Sequence, residues 1–99
     1  MIESIASAQA HRAFSVQGVY TPPAGDAVPV RVIIDLQIDA MDEFGRLISK
    51  IDVAYFLLSE VQPVRGGTLS AQGYSGLWDV MDRHEDDGII RTMRLSKRP

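Results

Sequence analysis

The strongest pattern in the chain is the alternation between Val28 and Asp39. Val28, Val30, Val32, Ile34, Leu36 and Ile38 fall on one parity; Pro29, Arg31, Asp35, Gln37 and Asp39 fall on the other, with Ile33 the exception. Strand side chains point alternately to two faces, so this spacing predicts a strand with one buried face. Pro29 lacks an N–H for a ladder, which puts it at an edge or among the strand's first pairs. Ile51 to Leu58 resumes β character, with Ile51, Val53, Tyr55 and Leu57 on one parity and Ala54, Phe56 and Leu58 on the other. A strand apolar on both faces is either central in its sheet or covered by another subunit. A helix over Val53–Val61 fits the same short apolar run.

Phe14 to Tyr20 is β-prone and ends in Thr21-Pro22-Pro23-Ala24-Gly25-Asp26, a turn or loop. Pro63 and Gly66-Gly67 turn the chain into Thr68-Leu69, and Gln72 to Gly76 is a second loop. Trp78-Asp79-Val80 starts a strand that Asp86-Asp87-Gly88 turns back into Ile89 to Leu95, so the last runs form a meander. Ala40 to Ile48 breaks the alternation and reads as one helical turn or a loop. Met41 and Phe44 are its apolar points among Asp42, Glu43 and Arg46. At the N-terminus Ile2, Ile5, Ala6, Ala10 and Ala13 share a narrow apolar face, predicting a helix from Met1 to about Phe14. Glu3 near its start and His11-Arg12 near its end suit the helix dipole. The expectation is one mainly β (α+β) domain over residues 1–99. Its body is a small β-barrel or sandwich from residue 15 on, with a short N-terminal helix or arm.

Composition sharpens this in a few places. With 45% hydrophobic and 23% charged residues over 99 positions, the chain has the make-up of an ordinary globular domain. Cysteine is absent, which removes disulfides and thiolate metal sites. No apolar run approaches the ~18 residues of a spanning helix. The N-terminal stretch lacks a basic region followed by an apolar one, so no membrane partner and a cytoplasmic setting are expected. The net charge of −3 is uneven: residues 1–88 carry −7 and residues 89–99 carry +4, from Arg91, Arg94, Lys97 and Arg98. A basic end on an acidic body suits an acidic neighbour, nucleic acid or another copy of the chain, or is simply solvated.

Candidate chemistry is sparse. Asp82, His84, Asp86, Asp87 and Gly88 suggest a calcium loop, but the glycine falls one position later than an EF-hand needs, and turn formation explains Asp-Gly. His11 and His84 sit in no ligand spacing. Gly73-Tyr74-Ser75-Gly76-Leu77 lacks the final glycine of a nucleophile elbow. Gly66-Gly67-Thr68 lacks the Gly-Lys pair of a phosphate loop. Trp78 fits a core anchor better than a binding aromatic. The residues therefore point away from an enzyme, from a cofactor and from a metal, and nucleic acid is a weak candidate in the absence of a recognisable module.

The order Phe14…Gly18-Val19-Tyr20, a Pro-rich loop, a Val/Ile strand and Ser59-Glu60-Val61 is followed by Val64-Arg65-Gly66-Gly67-Thr68-Leu69. Trp78-Asp79-Val80, Glu85-Asp86-Asp87-Gly88 and a basic final strand complete it. From about Phe14 to Arg98 this resembles the small head–tail joining proteins of lambda-like tailed phages and prophages, of the head-completion or tail-attachment type. The resemblance implies a virion structural protein at the head–tail junction, made in the bacterial cytoplasm. It implies self-association into a ring, a hexamer among the sizes open. The partners implied are a portal or head-completion protein on one side and a tail-tube or tail-terminator protein on the other. Candidate contacts are the irregular segment (Met41, Asp42, Glu43, Phe44, Arg46) and the basic end (Arg91, Arg94, Lys97, Arg98). The irregular segment reads equally as a lid on the core. The competing classes are a small β-barrel adaptor binding nucleic acid or another ligand in the host cell, and an accessory subunit of an enzyme.

Overall fold

A computed structural model describes residues 14–99. Six strands run in order: β1 (Val16–Thr21), β2 (Val28–Met41), β3 (Leu47–Leu57), β4 (Thr68–Ala71), β5 (Tyr74–Asp86) and β6 (Ile90–Lys97). All pairings are antiparallel, and the order β1-β2-β3-β6-β5-β4 returns to β1, so the sheet closes into a barrel. The mainly β expectation holds. The expected N-terminal helix falls on residues outside those described, as does His11.

The alternation in β2 does what it predicts as far as Ile34: Val30, Val32 and Ile34 are buried. They meet Tyr20, Ala54, Phe56, Leu69, Trp78, Val80, Met93 and Leu95 in one core. Trp78 is thus the core anchor, packed edge-on to Tyr74. Pro29 pairs with Val19 near the start of β2, which is the first-pairs alternative; in a closed sheet it is not at an edge.

β3 is the central strand of its neighbourhood, between β2 and β6. The helical alternative for Val53–Val61 is therefore wrong: Val53–Leu57 are strand, and the turn begins at Leu58. Both parities of β3 are buried within this single chain. Ala54 and Phe56 face the core, while Val53 and Leu57, on the outward parity, are 0% and 1% exposed. No second subunit is required to bury them.

The loop between β3 and β4 closes one end of the barrel. Pro63 is buried there, and Tyr20 reaches in from β1. Its hydroxyl donates to the Val64 carbonyl (3.2 Å) and accepts from the Val64 N–H (3.0 Å). Gly67 passes so close to this ring that a Cβ would lie 2.6 Å from Tyr20 Cε1, and Gly66 has φ +99°. The Val64-Arg65-Gly66-Gly67 turn is glycine-rich for these two backbone reasons.

Candidate interaction surface

β2 and β3 are longer than the barrel. β2 pairs with β1 only through Val28–Val32, and β3 pairs with β6 only from Asp52 onward. Between these limits, from Leu36 to Lys50, the two strands pair with each other alone. They form a two-stranded arm with both outer edges unpaired. This corrects the reading of residues 40–48: β2 runs to Met41, β3 starts at Leu47, and only Asp42–Arg46 form the turn.

A bulge starts the arm. The register slips by one residue between Asp35 and Ile38, where Gln37 has φ +59°. The Asp52 carboxylate holds it there, accepting from the Gln37 backbone N–H (3.0 Å) and Nε2 (3.2 Å). An inserted residue shifts the pleat and bends the strand. Leu36, expected on the buried parity, is consequently exposed, and Ile38 shares a face with Ile51.

Asp42 organises the tip. Its Oδ1 accepts the backbone N–H groups of Phe44 and Arg46, both at 2.9 Å, and its Oδ2 accepts Arg46 Nε at 3.0 Å. The Gly45 N–H donates to the Asp42 carbonyl and the Asp42 N–H to the Arg46 carbonyl. Gly45 supplies the left-handed residue, φ +79°, of a three-residue hairpin loop. These donors hold the Asp42 carboxyl below the ordinary aspartate range, with the Arg46 backbone N–H contributing most. The result is a fixed platform for Phe44, which is 75% exposed with the Arg46 guanidinium 5.7 Å from its ring centroid. Asp at the first and Gly at the fourth position of a turn was a readable signal for this loop.

Leu36, Met41, Phe44, Leu47 and Ile48 are all exposed and all lie on the arm; only four other large apolar residues of the described chain are exposed. Sequence reasoning placed a candidate contact over Met41 to Leu47, with Met41 and Phe44 as its apolar points, but missed Leu36 and Ile48, because a bulge and a hairpin turn cannot be read from parity alone.

The basic end is arranged differently. Arg91 is largely shielded and forms an ion pair with Asp86 (2.7 Å), while its Nη1 donates to the Pro63 carbonyl (2.9 Å). Arg94 faces Asp82 at 3.7 Å and Arg98 faces Asp79 at 2.9 Å. Lys97 lies 4.1 Å from the Trp78 ring centroid and donates to the Ser75 carbonyl. The +4 end is thus zipped onto acids and an aromatic of its own barrel. Arg91 is at the barrel end away from the arm, opposite Phe56, whereas Arg94 is opposite Val53 and β6 then runs toward the arm end.

Of the calcium-loop carboxylates, Asp86 and Asp87 are engaged in the β5–β6 turn, while Asp82 faces Arg65 and Arg94. Asp86 Oδ1 accepts the Gly88 N–H, and Asp87 Oδ1 accepts those of Ile89 and Ile90, all at 2.8 Å. Among the described residues no three His, Cys, Asp or Glu side chains cluster as metal ligands. Ser75 lies near the start of β5, not on a strand-to-helix turn. No protein-family model matches the chain, and no curated protein matches it.

Proposed function

We propose that the protein is a virion structural component that joins the filled capsid to the tail in a phage or prophage, acting as a connector ring between portal side and tail. The observation that carries the reading is the β2–β3 arm: a rigid hairpin, unpaired at both edges, on which most of the exposed large apolar side chains gather. Exposed apolar area of this kind marks a docking element, and a turn locked by Asp42 limits the ordering entropy of binding. The outer edge of β5 beyond Val80 also lacks a strand partner, but it carries Asp82, Arg83 and Glu85, so the exposed apolar area for assembly concentrates on the arm. The resemblance over Phe14 to Arg98 supplies the biological setting.

In this reading the partners are a portal or head-completion protein, a tail-tube or tail-terminator protein, and further copies of the chain. The protein resides at the head–tail junction after a cytoplasmic phase. The pairing of Arg91, Arg94 and Arg98 with carboxylates counts against the nucleic-acid adaptor, which needs cations free to meet phosphates.

The test is localisation in particles. The chain is tagged in its source cell, the resident prophage is induced, and particles are separated on a density gradient for immunogold microscopy. Gold at the head–tail junction is expected. Label confined to the soluble fraction, with particles plainly formed, overturns the reading.

A further inference from the structure

The arm tip has a complementary surface on the opposite end of the same chain. A groove of about 480 Å³ crosses β4, β1 and β2, where Val19 and Pro29 are exposed apolar points among polar neighbours that include Gln17, Arg31, Glu60 and Gln72. We propose that the arm tip of one copy seats in this groove on the next copy, Phe44 packing on Val19 and Pro29 and Glu43 meeting Arg31.

Three observations carry this. The first is charge. Every other arginine among the described residues meets a carboxylate. Arg31 does not: its Nε and Nη2 donate to the Oγ and carbonyl oxygen of Ser15, at 2.9 and 3.0 Å. Glu60 is beside it, yet its carboxylate accepts the Arg31 backbone N–H. The half-buried Arg31 guanidinium is therefore held in place without an acid partner. On the tip, Arg46 is taken by Asp42, which leaves the neighbouring Glu43 carboxylate without a cation.

The second is shape chemistry. Phe44 is a fixed, exposed aromatic flanked by charges, and the groove offers Val19 and Pro29 as apolar points flanked by polar and charged side chains. An aromatic anchor in a desolvated pocket ringed by polar groups is the usual energetic centre of an interface.

The third is reach. Pro29 to Arg31 line the groove at the start of β2, and Phe44 stands beyond the other end of the same strand. At about 3.3 Å per residue, the ten steps from Arg31 to Met41 hold tip and groove roughly 30 Å apart, on a molecule 40 Å in its longest extent. The tip cannot reach its own groove, so the contact is intermolecular and joins two different surfaces. Repetition of such a contact closes into a ring when the rotation permits and otherwise gives a filament. The assignment deepens the connector reading and rests on it for its setting.

The native chain has no cysteine, so engineered thiols report unambiguously. Full-length Leu47→Cys, beside the tip, is mixed with full-length Gln17→Cys, on the groove, at high concentration under mild oxidation, with Ile89→Cys replacing Gln17→Cys as an exposed control; both chains keep Phe44 and Val19. A reductant-reversible heterodimer is expected in the first mixture at about ten times the control yield, the difference corresponding to about 1.4 kcal/mol. The double variant Leu47→Cys/Gln17→Cys should give a ladder past the dimer. Adding Arg31→Glu to the Gln17→Cys chain should suppress the product, and adding Glu43→Arg to the Leu47→Cys chain should restore it. That rescue separates lost pairing from a damaged fold. Yields equal to the control, or Leu47→Cys dimers formed tip to tip in preference, overturn the proposal. Gold at the junction together with such a failure would leave the connector function standing and remove only this contact.

Discussion

Removing one oxygen atom from Tyr20 tests how the barrel end is held. Tyr20 is buried, and its hydroxyl is both donor and acceptor to the same residue, Val64 C=O and N–H, one group from each flanking peptide unit. In Tyr20→Phe the ring keeps its edge-to-face contact with Phe56 at 5.6 Å, so packing is nearly conserved and the loss is confined to two hydrogen bonds. At about 0.5–1.5 kcal/mol each, the pair contributes about 1–3 kcal/mol. The Val64 side chain is half-exposed, so water can reach part of the vacated peptide, and the expected loss is about 2 kcal/mol. For a domain of this size that lowers Tm by roughly 8–16 °C. Urea unfolding followed by fluorescence of the single, core-packed Trp78 gives the midpoint directly. An unchanged m-value with a lower midpoint identifies a stability effect. A loss under about 0.5 kcal/mol, the range of an ordinary surface change, would refute the claim that this hydroxyl fastens the β3–β4 loop.

Gly67→Ala pushes a methyl against the Tyr20 ring from the other side, and overpacking of this kind should cost about 1–3 kcal/mol in the same urea titration. Gly45→Ala meets no atom within 4 Å but must hold φ +79°; the strain of about 1 kcal/mol should appear as faster amide exchange confined to the arm. Phe44→Ser should leave Tm within the range of a surface change; under the proposed connector role, the yield of tailed infectious particles in complemented phage falls, and an unchanged yield removes Phe44 from the interface. The Asp86 carboxyl is held below the ordinary range, chiefly by the hydrogen bond from Arg91 and then by the Gly88 N–H. Its contribution is therefore complete above the unfolded aspartate value of about 3.9 and is lost as pH falls through the lower folded value. Urea midpoints of the native chain and Asp86→Asn should converge as the pH drops from about 6 toward 3, and a constant gap would contradict this.

The legible parts of the fold were those set by local alternation and by turn residues. Val28–Ile34 read correctly because one face meets the core, and the Asp-Asp-Gly and Pro-Pro turns read correctly because their chemistry is local. Strand ends were harder. The extension of β2 past Asp35 depends on Gln37 adopting a left-handed backbone, which Asp52, fifteen positions away, stabilises through two hydrogen bonds. The outward burial of Val53 and Leu57 depends on tertiary packing, so apolarity on both parities could not distinguish a central strand from a subunit contact. At the candidate site, Met41 through Arg46 were legible as an irregular segment with apolar points. That they stand on a projecting arm follows from where β1 and β6 stop pairing. The charge asymmetry was real but misleading, since the register of β5 against β6 brings Asp79 and Asp86 beside the basic residues.

The features that carry the family resemblance and those that carry the proposed contacts occupy different parts of the molecule. Val64-Arg65-Gly66-Gly67 is explained by Tyr20 and the barrel end; Trp78 by the core; Asp86-Asp87-Gly88 by its own turn and Arg91. Each has a structural cause that any barrel of this build would share. Phe44, Glu43 and the apolar flanks of the arm have no such cause: no described contact buries them, and their exposure does nothing for the isolated chain. Variants at the first group should therefore act through stability and impair every function together. Variants at the arm should spare stability and, under the proposed connector role, strike assembly alone; a Phe44→Ser chain that folds normally and still supports head–tail joining would break that division.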